Sequence, residues 1–315
     1  MMNSRNLKGK VALISGSSMG IGKAIASALA ADGVSIILNG RDEPRLKNTE
    51  TELRSLGYKV TAVAADIRIP GRCRHLVQQT ILHYGRLDIL INNAAVSSRG
   101  SVAEMADGNY KIMGETNFNG SAHLSKYAIP YLKETKGHII FINSVGGFRG
   151  IPFNSAYSAT KMAQAALAEA LRIELFDLGI HVGVAFVGFT ENDPDKTILD
   201  VGGSWVYLPK RTNIKLAKPQ AVAQSIKQMI IRRKNRITLT RLGRFTSFAT
   251  RYLPSFSNWL LLVNRKTIKR QFTMIGGKAL ISSPWPTKIK YGALDLRKID
   301  SIEMCHPCPK GIGSR

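Results

Sequence analysis

Short apolar runs and amphipathic stretches alternate along the first two-thirds of the chain. Lys10 to Ser15, Val34 to Leu38, Val60 to Ala65, Leu87 to Ile91, His138 to Ile142 and Ile180 to Phe186 are brief runs rich in Val, Ile and Leu. Gly20 to Asp32, Glu43 to Leu56, Cys73 to His83, about Asn109 to Lys133 and Ala156 to Phe176 carry apolar residues at helical spacing. Continuous apolar strands separated by helices predict a parallel sheet covered on both faces. Right-handed crossovers then give a doubly wound α/β fold in three layers, α/β/α.

The segment from Gly188 to Leu216 breaks the alternation, being polar and holding Pro194, Gly202, Gly203 and Pro209. A connection of that length in a compact domain is usually functional, so 188–216 is expected to be a lid over a substrate. A helix from Pro219 to about Arg233 and a short strand from Ile237 to Leu239 follow. Beyond Thr240 the periodicity degrades, and after Met274 none is visible, so poor order is expected there. The organisation expected is a catalytic domain over 1–240 and a C-terminal extension over 241–315.

With 315 residues and 44% hydrophobic content, the chain can bury one large core but hardly two. The net charge of +24 is unevenly placed. From Val201 onward there are 23 Lys and Arg against 3 Asp and Glu, whereas the residues before it are nearly balanced. The back of the chain suits an anionic surface. The first ten residues carry no apolar run or cleavage signal, and no stretch approaches the roughly 20 apolar residues needed to span a bilayer. Three cysteines, Cys73, Cys305 and Cys308, fit a reducing, cytoplasmic setting. A single Cys-x-x-Cys pair lacks the further ligands of a structural zinc site, so no metal is expected.

Ser15-Gly-Ser-Ser-Met-Gly-Ile-Gly22 joins the first strand to the first helix. Gly16, Gly20 and Gly22 permit a tight turn and close approach of a pyrophosphate to Ser18, Ile21 and the free N–H groups of the helix. Alone, the loop reads equally well as a plain strand-to-helix turn. Its place after the first strand of an α/β pattern favours a dinucleotide. Where an enzyme using NAD carries an acid at the end of the second strand, this chain has Gly40-Arg41. A guanidinium can bind a 2′-phosphate that a carboxylate would repel, so NADP(H) is expected over NAD(H). Asp66 and Ile67 after the third strand, and Asn93-Ala94 after the fourth, also fall at strand carboxyl ends, where open sheets bind ligands.

Tyr157 and Lys161 lie four residues apart, on one face of a predicted helix. A tyrosine with a reference pKa of about 10 is a poor acid/base near neutrality, and a neighbouring ammonium would lower that value. Ser144, thirteen residues before Tyr157, follows the preceding strand and can donate to a substrate oxygen. A lone Tyr-x-x-x-Lys is usually structural, but beside Ser144 and the glycine loop it points to ketone–alcohol chemistry.

These motifs together resemble the short-chain dehydrogenase/reductase family, in its single-domain, Rossmann-fold branch. The resemblance runs from about Leu7 to Leu239. It implies a tetrad: Tyr157 as proton donor or acceptor, Ser144 orienting the carbonyl, Lys161 holding the nicotinamide ribose, and Asn117 supporting a water relay. It also implies that Gly188 and Thr190 lie near the nicotinamide, and that the subunit forms a dimer or tetramer. Ser15 stands where the family favours Thr, Ala95 where it favours Gly, and Val187-Gly188 where it favours Pro-Gly.

Specificity should come from residues 96–101, 145–153 and 188–216, which hold Phe148, Phe153, Phe189, Trp205 and Tyr207. A hydrophobic carbonyl substrate is expected; the alternative is that these aromatics only pack the lid. In the tail, Arg232, Arg233, Arg241, Arg244, Arg251, Arg265 and Arg270 are interleaved with Phe245, Phe248, Tyr252, Phe256 and Trp259. Such a mixture suits the cytosolic face of a membrane, and equally a solvated tail packed on the domain or on a second subunit. No nucleic-acid-binding module is visible. Two further readings stand beside the carbonyl reductase: an idle NADP-binding sensor or scaffold, and a membrane-recruited interaction protein.

Overall fold

The computed structural model describes residues 7–208 and 216–273. In chain order the elements are β1 (Val11–Ser15), α1 (Gly20–Ala30), β2 (Ser35–Gly40), α2 (Glu43–Ser55), β3 (Val60–Ala64), α3 (Pro70–Tyr84), β4 (Ile89–Asn92) and α4 (Asp107–Met113). A π-helical segment, Gly114–Asn119, leads into α5 (Gly120–Thr135). Then come β5 (His138–Ser144), a 3-10 turn at Val145–Gly147, α6 (Ser155–Glu174), β6 (His181–Val187), β7 (Thr197–Leu199) and β8 (Trp205–Tyr207). The last are α7 (Pro219–Ile231), β9 (Arg236–Thr238), α8 (Arg241–Tyr252), α9 (Pro254–Val263) and α10 (Arg265–Thr273).

Seven strands pair in the order β3-β2-β1-β4-β5-β6-β9, every pairing parallel. The order reverses between β1 and β4, which opens a crevice at their carboxyl ends. Successive strand residues face opposite layers, as the pleat requires. Ile14, Ile36 and Leu38 pack with Ile25, Leu29, Ile226 and Met229 of α1 and α7. Leu13, Ile37, Leu90 and Phe141 pack with Leu76, Leu124 and Ala168 of α3, α5 and α6 on the other side. Each such Leu, Ile, Met or Phe side chain, fully buried, contributes about 1.5–3 kcal/mol.

At the opposite end of the sheet from the crevice, buried Asp88 accepts from Val11 N at 3.0 Å and from Arg86 Nη2 at 2.7 Å, pinning β1 beside β4. Nearby, His138 and His181 are register partners on β5 and β6. Their Nδ1 atoms lie 3.0 Å apart, so one ring donates and the other accepts.

The structure departs from the sequence pattern in three places. The helix expected over about 109–133 is interrupted by the π segment, whose extra residue per turn redirects Asn117 toward the loop after β4. The expected lid 188–216 contains an antiparallel hairpin, β7 with β8, and residues 209–215 lie outside the described residues. The stretch after Thr240, where the periodicity degrades, forms three helices before Met274. The expectation of poor order after Met274, and the Cys305–Cys308 pair, lie outside the described residues. Among the described residues no cluster of His, Cys, Asp and Glu could hold a metal, and Cys73 is a buried thiol that donates to Ile67 O.

Candidate active site

The crevice is built from tight backbone contacts. Gly16 has φ +64°, and a Cβ there would lie 2.7 Å from Ala94 Cα. A Cβ at Gly22 would lie 2.2 Å from the Gly16 carbonyl oxygen. Ser15 is buried; its hydroxyl accepts from Asn93 N at 3.0 Å and Ala94 N at 3.1 Å. Asn93 Nδ2 donates to the Ser15 and Gly16 carbonyls at 3.0 and 2.7 Å. Ser15 and Asn93 thus hold the glycine loop in shape. No side chain caps the amino end of α1, so its first N–H groups point to the crevice beside Ser18 and Ile21. Cradle and helix terminus fit a pyrophosphate.

At the carboxyl end of β2, Gly40 lies against Ser18, whose Oγ would be 3.4 Å from a Cβ there. Arg41 is exposed and stacks its guanidinium 5.5 Å above the Trp205 ring of β8. Asp66 is engaged bidentately by Arg68, Nε at 2.9 Å and Nη2 at 2.6 Å from Oδ2. Burial would raise the Asp66 pKa; the Arg68 hydrogen bonds outweigh it and hold the carboxyl below its ordinary value. Ile67 is buried beneath Gly120, whose missing Cβ leaves it room.

Ser144 ends β5, and its Oγ accepts from Gly146 N at 3.2 Å. A methyl at Gly146 would touch Tyr157 Cε1 at 3.7 Å, so the turn after Ser144 leans on Tyr157 at the start of α6. Lys161 lies one turn further on, 2% exposed, with Nζ 6.0 Å from the Tyr157 ring centroid. Its ammonium donates to Ile142 O at 2.9 Å and Gln164 Oε1 at 3.2 Å. Burial, reinforced by the charge of Lys196, pushes its pKa down to about 7. Asn117 donates to Val96 O at 2.9 Å and Thr160 Oγ1 at 2.9 Å and accepts from Val96 N at 2.7 Å, so its side chain braces the loop after β4 against α6.

Sequence reasoning missed Gln164. Its Nε2 donates to Asn117 O at 3.1 Å and Ser121 Oγ at 2.8 Å. Its Oε1 accepts from Lys161 and from Asn143 Nδ2, each at 3.2 Å. All four contacts match donor to acceptor, which sets the orientation of the amide. A polar residue at 164, on the helical face shared by 157 and 161, was the available signal.

Gly188 backs onto Thr240, whose Oγ1 would lie 2.5 Å from a Cβ there, and Thr190 Oγ1 donates to Gly188 O at 3.3 Å. Tyr157 borders an apolar cluster of Val96, Met105, Met113, Ala156 and Leu199, with Trp205 also against it. The hairpin is stitched down by Leu199 N to Ser97 O at 2.9 Å and Asn109 Nδ2 to Asp200 O at 2.6 Å. Phe148 does not join this cluster; it stacks on Phe186 at 4.2 Å. The C-terminal helices reach the same side: Arg149 bonds Ser257 and Asn258 of α9, and Arg99 lies 5.3 Å from the Phe272 ring of α10.

The sequence matches the short chain dehydrogenase family over residues 10–200. It is 32% identical over 255 residues to "Dehydrogenase/reductase SDR family member 7B" of Danio rerio, covering 79% of this chain and 82% of that protein. It is 37% identical over 197 residues to "11-beta-hydroxysteroid dehydrogenase A" of Arachis hypogaea, covering 61% of this chain but 56% of the relative. A short-chain dehydrogenase/reductase from Burkholderia phymatum in complex with NAD superposes with a TM-score of 0.68 at 23% identity, over 77% of this chain and 92% of that one. An alcohol dehydrogenase from Thermococcus sibiricus complexed with 5-hydroxy-NADP gives 0.64 at 25% identity, over 73% and 95%. The chain belongs to the short-chain dehydrogenase/reductase family, a family of NAD(P)-dependent oxidoreductases acting on alcohols and carbonyls.

Proposed function

We propose that this oxidoreductase is an NADP(H)-dependent carbonyl reductase for a lipophilic ketone, with residues 1–240 as its catalytic domain. One observation carries the reading: Tyr157 stands between the buried Lys161 ammonium and the apolar cluster of Val96, Met105, Met113 and Leu199. An acid/base is thereby offered to a greasy, water-poor pocket, where electrostatic help counts most.

The nicotinamide, when bound, supplies or accepts the hydride. The residues of the chain handle the proton. In reduction, the Tyr157 hydroxyl gives its proton to the oxygen of the substrate, and Ser144 Oγ donates to the same oxygen as charge develops there. The ammonium has three donors; Ile142 and Gln164 take two, leaving one for the Tyr157 oxygen or a ribose hydroxyl. Arg41 and Arg68, at the carboxyl ends of β2 and β3, favour a 2′-phosphate, and Gly16, Gly22 and Ser18 would line the pyrophosphate.

The test is NADPH oxidation against ketones graded from small and polar to lipid-like, with NADH in parallel. Turnover of apolar ketones is expected, and Tyr157→Phe lowers it by about 10²- to 10⁴-fold with cofactor affinity retained. Tight NADPH binding without turnover of any ketone would instead favour the idle sensor.

A further inference from the structure

α8 and α9 are built inside out. Ala249 is 2% exposed and Ser257 6% exposed, whereas Phe248 is 54%, Tyr252 62%, Trp259 55% and Leu262 63% exposed. Gly243 is buried as well. Small residues face the protein and large ones face outward, the reverse of a helix that merely caps a soluble domain. Eight of the sixteen exposed large apolar side chains among the described residues fall between Phe245 and Val263. Apolar surface gathered in this way marks a docking face.

The same face is cationic. Between α8 and β9 runs a cleft of about 440 Å³, lined by Arg236, Arg244 and Arg251 with Ser247, Thr250 and Phe248. No carboxylate makes an ion pair with any of the three arginines among the described residues. Arg236 is held flat, 4.7 Å from the Phe186 ring and 5.2 Å from Phe148. Thr250 Oγ1 is buried in the cleft wall without a hydrogen-bond partner. Three convergent guanidiniums and hydroxyl donors match the chemistry of a phosphate group.

We infer that α8 and α9 dock on an anionic phospholipid bilayer, with a lipid phosphate in the Arg236–Arg244–Arg251 cleft and Phe248, Tyr252, Phe256 and Trp259 entering the interface. Aromatic side chains flanked by arginines are what the headgroup region accommodates. At ten residues, α9 is far too short to span a bilayer, so both helices lie in the plane of the interface. Arg149 of the loop after Ser144 is bonded to Ser257 and Asn258, which keeps the docked helices next to the substrate side. The surface does not depend on the catalytic reading, and its test uses no turnover.

The test is co-sedimentation of the full chain, without cofactor, with phosphatidylcholine vesicles and with vesicles of phosphatidylcholine mixed with phosphatidylglycerol. Binding to the anionic vesicles and little to the neutral ones is expected. Arg244→Ala with Arg251→Ala lowers partitioning about thirtyfold, at roughly fivefold per arginine. Phe248→Ser with Trp259→Ser weakens it at low and high salt alike, while thermal melting shows both variants folded. Anionic binding that survives both double variants overturns the proposal. So does inorganic phosphate saturating the cleft and leaving vesicle binding unchanged, which would make the site one for a soluble anion. A shift from dimer to monomer in the variants, with vesicle binding intact, would assign the face to a second copy and equally overturn it.

Discussion

The Gln164 amide oxygen lies 3.2 Å from the Lys161 ammonium, and the same amide donates to the Asn117 carbonyl at 3.1 Å. The family resemblance implies a water relay supported by Asn117; here the Gln164 amide bridges Asn117 and Lys161 directly. We propose it as a positioning residue that acts on the tyrosine through the lysine.

Gln164→Leu removes the acceptor that favours the charged lysine. Hydrogen bonds to charged groups are worth about 1.5–3 kcal/mol, so the lysine pKa falls further and turnover is lost at lower pH. The alkaline limb of the kcat profile moves down by about one pH unit or more. Gln164→Glu, which puts a carboxylate beside the ammonium, moves it up. A merely structural role would lower kcat at every pH and leave the limb in place.

Lys161 itself tests the cost of the site. Its pKa is pushed from an ordinary 10.5 to about 7 by burial. Below pH 7 the lysine is charged in both states and the folded protein bears the whole penalty. Between 7 and 10.5 the unfolded chain holds the extra proton, so stability rises with pH, by up to several kcal/mol. Lys161→Met lacks that slope and has no turnover. Urea unfolding without cofactor at pH 6 and pH 9 should show the variant gaining relative to the wild type at the lower pH.

Arg41 should decide cofactor choice. Losing a guanidinium–phosphate contact costs about 1.5–3 kcal/mol, so Arg41→Ala raises the KM for NADPH about ten- to hundredfold and leaves NADH little changed. Equal effects on both cofactors would instead trace the loss to the Trp205 stack.

The buried histidine pair predicts acid sensitivity. Burial drives the His181 pKa down to about 4 and holds His138 well below its ordinary value; Arg233 opposes charge on both rings, and each feels further cations, His138 those of His181 and Lys10, His181 that of Arg172. Both rings are neutral in the folded state, so as pH falls below 6.5 the unfolded chain takes up protons first and stability drops toward pH 4. Replacing both by Phe removes two polar partners together, a nearly neutral change in itself. The melting temperature of that variant should fall less steeply over this interval.

The glycine loop, Tyr157 and Lys161 were legible because their chemistry is carried by spacing: one strand-to-helix turn and one helical turn. The central strands were legible because burial on both faces leaves unbroken apolar runs. Gln164 carried only the signal of a shared helical face, since three of its four partners, Asn117, Ser121 and Asn143, lie on other segments. The π segment was invisible because one extra residue hardly alters a helical pattern. In α8 apolar residues do recur at helical spacing, but Phe245, Phe248 and Tyr252 carry them outward while Ala249 faces in, and in α9 Trp259 faces outward while Ser257 faces in, so the pattern did not mark a face packed on the core.

The staple from Ser15 to Asn93 bridges 78 positions along the chain. Closing so large a loop is entropically slow, and parallel pairing of β1 with β4 cannot precede it. The cradle therefore does not exist in any nascent chain shorter than about β4. A ribosome-bound fragment ending before Asn93 will not retain a dinucleotide, and the gain of retention with length reports when the central sheet closes.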